Sequence, residues 1–200
     1  MKNFQRLLLL FIAVIALVGP ALAYEDYVYN FSVKGPKGWV VLPNASVPGT
    51  FRFGWTSPEW ALPNAKDTWG ASVSVFVKDT EGNSAKDLLD KNVAVIGGKT
   101  EVKPDPRTAL HVVKQQIITV DGNQGFIMEV VGNGTGFAIG IPPQVDAKGK
   151  PLFKIVPTRQ RWYCVVKGKN LIGILSTCPD SLYGKYGAAF SSVEKTLSVR

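Results

Sequence analysis

Between Val113 and Val131 the sequence doubles back on itself. Two apolar-rich runs, Val113 to Val120 and Asn123 to Val131, flank the dipeptide Asp121-Gly122. Asp-Gly between such runs is a strong signal for a two-residue hairpin turn, because both central residues must take positive φ. The turn sets Val120 opposite Asn123, Ile117 opposite Phe126 and Val113 opposite Val130. The last two pairs share one face, which predicts a buried side on an antiparallel ribbon. A two-stranded ribbon is not stable alone, so the rest of the chain must extend it into a sheet or cover it.

Period-two patterning elsewhere supplies further strands. Tyr27 to Val33 alternates and is expected to be a strand. A turn at Gly35-Pro36-Lys37-Gly38 leads into Trp39-Val40-Val41-Leu42. Phe51 to Thr56 sets Phe51, Phe53 and Trp55 on one face, and Ala71 to Lys78 sets Val73, Val75 and Val77 on one side. Thr158 to Val166 and Leu171 to Thr177 form a second hairpin around Lys167-Gly168-Lys169-Asn170.

Helical spacing occurs twice. Ala85, Leu88, Leu89, Val93 and Ile96 recur along Ser84 to Ile96, with Ser84 and Asp87 as a capping box and Gly97-Gly98 as a stop. From about Ser181, Leu182, Tyr186, Phe190, Val193 and Leu197 recur every three or four residues, with Asp180 or Ser181 as the cap. The class is therefore α+β: an antiparallel sheet whose apolar side both helices cover.

The first 23 residues have a different character. Lys2 and Arg6 precede an unbroken apolar run of twelve residues, Leu7 to Val18; Gly19-Pro20 breaks it, and Ala21-Leu22-Ala23 precedes Tyr24. This is the pattern of a Sec-type signal peptide cleaved after Ala23. The run falls short of the roughly 20 residues needed to span a bilayer, and no later run reaches that length. The short apolar region suits a bacterial exporter, with eukaryotic secretion as the alternative. The expected mature protein is periplasmic or secreted and does not span a membrane. Residues 24–200 make one domain, with a Gly/Pro-rich insertion at 132–157.

Composition narrows the chemistry. At 46% hydrophobic and 19% charged residues, a fully disordered chain is excluded. Two cysteines are too few for a disulfide scaffold. They are not expected to bond each other. With Lys167 opposite Asn170, Cys164 faces Gly173, and Cys178 lies five residues further on, on the opposite sheet face. That is about 17 Å along a strand, against the roughly 7 Å limit for Cα atoms in a disulfide.

The candidate sites are few. His111, the one histidine, sits at the entry to a strand and is expected to be dispensable. No phosphate loop, Cys-x-x-Cys or His-x-x-x-His occurs, and Asp79, Glu81 and Asp87 fit no calcium loop. No catalytic residue, metal or cofactor is assigned. Trp55 shares a face with Phe51 and Phe53 and is expected in the core. Trp60, after Pro58-Glu59, is a possible ligand contact. The salient feature is charge. Asp146 to Lys169 holds seven basic residues, Lys148, Lys150, Lys154, Arg159, Arg161, Lys167 and Lys169, against one acid. Strand alternation puts Arg159, Arg161 and Tyr163 on one face and Trp162 and Cys164 on the other. With Trp162 in the core, the arginines would point outward as a docking patch for an acidic protein or anionic lipid head groups. Nucleic acid is a poor partner for an exported protein.

The element order, together with three local phrases, resembles the PsbP family. The phrases are Phe31-Ser32-Val33 followed by Pro36-Lys37-Gly38-Trp39, then Arg159-Gln160-Arg161-Trp162-Tyr163, then the closing helix with Tyr186, Phe190 and Val193. That family is named for an extrinsic subunit of photosystem II and includes exported bacterial proteins. The resemblance implies a PsbP-like α/β sandwich over residues 27 to 198. The plant proteins attach through an extended segment ahead of the domain, whereas here the domain begins within a few residues of Tyr24, so no photosystem role is carried over. No calcium, zinc or manganese ligand set of the family matches residue by residue. The expected function is that of a non-catalytic exported binding or accessory domain. The alternatives are a small-ligand or glycan binder using aromatic loops, and an enzyme with 132–157 as a lid.

Overall fold

The computed structural model describes residues 23–42, 51–61, 70–97, 110–134 and 156–200. Among the described residues, ten strands and three α-helices follow in order: β1 (Ala23–Asp26), β2 (Phe31–Lys34), β3 (Val40–Val41), β4 (Phe51–Thr56), α1 (Pro58–Ala61), β5 (Ser72–Asp79), α2 (Ala85–Ile96), β6 (His111–Val120), β7 (Asn123–Gly134), β8 (Val156–Lys167), β9 (Asn170–Pro179), α3 (Tyr183–Glu194) and β10 (Ser198–Val199). A 3-10 turn, Asp180–Leu182, leads into α3. One sheet has the order β3-β4-β5-β9-β8-β7-β6 and a small one the order β1-β2-β10. Every pairing among them is antiparallel.

Both faces of the large sheet are apolar, so the helices divide between them. Tyr186, Phe190 and Val193 of α3 join β2 and β10 over Val73, Val75, Val77, Val165, Ile172 and Ile174. Ala85 and Leu89 of α2 pack on Phe76, Phe126, Met128, Val130 and Cys164 on the opposite face. The expectation that both helices share one side is thereby corrected. Strands buried on both faces lose the alternation of polar and apolar residues that would mark an outer side. The capping box of α2 forms as expected: Asp87 N–H donates to Ser84 Oγ at 3.2 Å, and Ser84 N–H to Asp87 Oδ2 at 3.1 Å.

Several local expectations shift. Tyr27 to Val33 is not one strand, because the chain turns at Tyr27–Asn30. The buried Asp26 carboxylate accepts the Val28 and Tyr29 N–H groups at 3.0 and 3.1 Å, and Asn30 takes φ 52°. A side-chain-built turn of this kind competes directly with an extended strand. In β4 a bulge between Phe51 and Phe53 splits the expected aromatic face. Phe51 packs edge-on to Phe76 on the α2 side, while Phe53 meets Trp55 on the other.

The Asp121-Gly122 hairpin forms with φ 47° and 76°, and Ile117 does face Phe126. A second bulge, between Val112 and Lys114, moves the partner of Val130 from Val113 to Val112. The expected buried side holds only on β7. Phe126 is 1% exposed, but Ile117 is 44% exposed, because β6 is the edge of the sheet. The ends of the 132–157 insertion belong to strands, with Gly132 paired to Thr158 and Gly134 to Val156; residues 135–155 lie outside the described residues.

Candidate functional site

The β8–β9 register is as expected: Lys167 faces Asn170 and Cys164 faces Gly173. Cys178 lies opposite Arg159 on the other sheet face, and both thiols are free and buried. Burial alone pushes the Cys164 thiol well above its ordinary range, and burial, partly offset by Arg159, raises Cys178 to about 12.

The alternation of β8 also holds, but its consequence reverses. Arg159 and Arg161 point inward, under α3. Arg161 forms a two-pronged contact with Glu194, Nε to Oε1 at 2.6 Å and Nη2 to Oε2 at 2.8 Å, and its Nη1 donates to Glu129 Oε1. Arg159 Nε donates to Asp180 Oδ1 at 2.7 Å and Nη1 to Glu129 Oε2 at 3.3 Å. Its guanidinium stacks 4.3 Å from the centre of the Tyr183 ring, and Tyr183 Oη–H donates to Glu129 Oε1 at 3.1 Å. Arg161, Glu129 and Glu194 are all buried. The outward arginine patch is therefore corrected: α3 and its entry turn, together with β7, bring three carboxylates onto this face, and buried guanidinium groups require such partners.

The hydrogen bonds to Glu194 hold the Arg161 guanidinium above its usual range against the cost of burial. Burial pulls Arg159 down, but pairing with Asp180 and Glu129 carries it above its usual value. Burial beside Glu129 raises the Tyr183 hydroxyl. A guanidinium stays charged and exchanges no proton near neutrality. What this arrangement does is fix α3 to β7 and β8.

The network also explains the start of α3. Neither Asp180 nor Ser181 caps it. Asp180 is committed to Arg159, and Leu182 at the N-cap supplies no side-chain hydrogen bond. Glu129, Glu194 and Tyr183 were not singled out from sequence, and Asp180 was read only as a helix cap. The signal for them was Glu129 itself, an acid inside the apolar run Phe126-Ile127-Met128-Glu129-Val130-Val131. Such an acid needs a cation, and the register supplies Arg161 directly opposite.

The other candidates separate. Lys167 and Lys169 lie at the tip of the β8–β9 hairpin, where Gly168 takes φ 57° and Lys169 is exposed. Lys148, Lys150 and Lys154 lie outside the described residues. His111 is exposed at the start of edge strand β6, opposite Val131. Trp55 is core, as expected. Its indole leaves no room for a side chain at Gly35, where a Cβ would sit 2.2 Å from Nε1. Trp60 belongs to α1, and its side chain, like all of Trp69, lies outside the described residues. The single turn of α1 is held to α3 by Lys185 Nζ donating to Glu59 Oε1 at 2.6 Å, which lowers the Glu59 carboxyl to about 2. Among the described residues no three of His, Cys, Asp and Glu converge as metal ligands, and no helix is long and apolar enough to cross a membrane.

The architecture was compared with solved structures. The solution structure of cyanobacterial PsbP from Synechocystis superposes with a TM-score of 0.56, covering 92% of this chain and 95% of that one at 11% identity. The chain has the PsbP-like fold. Two other proteins share it. One is a Pseudomonas aeruginosa protein of unknown function (TM-score 0.52, 11% identity, 91% and 99% coverage). The other is LpqN, involved in cell envelope biogenesis of Mycobacterium tuberculosis (TM-score 0.51, 10% identity, 90% and 85% coverage). No protein-family model matches the sequence, and no curated protein matches it either.

Proposed function

We propose that this chain is an exported, non-catalytic binding domain that docks onto an anionic surface, either an acidic protein or anionic lipid head groups. One observation carries the reading. The buried charged side chains among the described residues are three acids, Asp26, Glu129 and Glu194, and one base, Arg161. The described residues hold 14 basic and 11 acidic side chains, so removing those four leaves 13 against 8. Sequestering acids leaves the exterior of the described residues more basic than their formal charge. Clustered exterior charge steers association with the opposite sign. Lys167 and Lys169, with Lys148, Lys150 and Lys154, are the proposed docking cations; Arg159 and Arg161 drop out because they are already paired.

Export rests on the Lys2-to-Ala23 pattern. The involvement of LpqN, which shares the fold, in cell envelope biogenesis is of the same kind. The test is binding to vesicles of anionic or zwitterionic lipid and to envelope protein extract, at 0.01 M and 0.15 M salt. The screening length falls from about 30 Å to about 8 Å across that range. Binding in one anionic arm should weaken with salt and with Lys167→Gln/Lys169→Gln. Binding indifferent to both changes would refute docking by charge.

A further inference from the structure

The edge strand β6 carries the furthest inference. It has ten residues, His111–Val120, and among the described strands it pairs only with β7. Among the described residues no strand pairs with its outer rim, so the backbone N–H and C=O groups there point away from the sheet. Natural proteins protect such edges with prolines and charges. This one has no proline and a single charge, Lys114, and its one bulge, between Val112 and Lys114, leaves Lys114 to Val120 regular. It also carries two of the five exposed large apolar side chains among the described residues, Val113 and Ile117, each 44% exposed.

The strand is self-complementary in one register. If a second copy lies antiparallel with Gln115 opposite Gln115, then Val113 faces Ile117 and Lys114 faces Gln116, and the bulge between Val112 and Lys114 ends the regular pairing at Val113. The two exposed apolar residues of the strand, Val113 and Ile117, thus meet each other twice across the seam, and the two lysines are never opposed. Moving the centre to Gln116 sets Val113 against Thr119 and Lys114 against Ile118. Hydrophobic pattern selects register, and a two-fold interface must be complementary to itself. We propose that two copies of this chain join through β6, antiparallel about Gln115, into one continuous sheet. A foreign strand has no reason to match this internal symmetry, which is why the occupant is a second copy.

The inference is independent of the charge-docking reading, and salt separates the two. Docking onto an anionic surface weakens as salt rises. Joining two positively charged copies strengthens or holds, because screening reduces their repulsion.

The experiment uses the purified protein and its Gln115→Cys variant under mild oxidation, with Thr119→Cys as control. Directly opposed residues of antiparallel strands have Cα atoms about 4.5–5.5 Å apart, inside the disulfide window of about 4.4–6.8 Å. The two Thr119 positions would be roughly 27 Å apart at about 3.4 Å per residue. The expected result is a covalent dimer from the Gln115→Cys variant and none from Thr119→Cys, with the native cysteines buried and silent. Sedimentation should show a concentration-dependent dimer that Ile117→Lys weakens about tenfold or more, given two apolar cross-strand pairs lost. Ile117 is exposed enough for the variant to fold, which circular dichroism checks. A monomer at every concentration, equal cross-linking by both variants, or a dimer indifferent to Ile117→Lys would overturn the proposal.

Discussion

Removing the Arg161 guanidinium would strand two buried carboxylates unequally. Glu129 keeps Arg159 at 3.3 Å and the Tyr183 hydroxyl at 3.1 Å, whereas Glu194 loses both of its charged hydrogen bonds. Breaking a buried ion pair from one side costs about 3–5 kcal/mol, while replacing both partners with apolar groups is often close to neutral. Arg161→Met is therefore expected to lose about 3–5 kcal/mol, and Arg161→Met/Glu194→Met to regain most of it. In urea, with a slope of about 2 kcal/mol per molar, the single variant should shift its midpoint down by about 2 M. Urea denaturation of wild type, both single variants and the double variant closes the cycle. A single-variant loss below about 1 kcal/mol, the range of exposed pairs, or additive losses at Arg161 and Glu194, would refute this account of α3.

Three further outcomes follow from buried groups. The native protein should show no thiol reactive at pH 8, and the unfolded, unreduced chain should show two. Because burial raises both thiols above the unfolded value of about 8.5, the unfolded chain loses those protons first, and stability should fall as pH rises beyond about 9. Replacing both cysteines with alanine should flatten that alkaline slope; an unchanged slope would contradict the assignment. Gly173→Ala would put a Cβ 2.1 Å from Phe76 Cζ. That ring is wedged between Phe51 and Trp162, so the cost should be at least about 1–3 kcal/mol, read as a lowered Tm. A neutral Gly173→Ala would mean that the ring has room to move.

The amino-acid sequence by itself determined the local elements wherever the signal lay within a few residues. The Ser84–Asp87 capping box, the Asp121-Gly122 turn and the Lys167–Asn170 hairpin register are short-range hydrogen-bond and dihedral requirements, and each formed as read. The cysteine separation followed from that register alone. Turns built by a side chain, as at Asp26, and bulges such as those near Arg52 and Val113 escaped, because one inserted residue leaves the composition of a run unchanged while flipping its faces. Only the tertiary structure decided what each face meets. Alternation correctly grouped Arg159 with Arg161, but outward and inward are defined by what packs on the sheet. Glu194 is 33 residues from Arg161 along the chain, and Glu129 is 32. A strand covered on one side would have left these arginines in water. The arrival of α3 on the second side made them the charged centre of the interior, because a guanidinium already fixed under a helix is stable only with carboxylates brought to it.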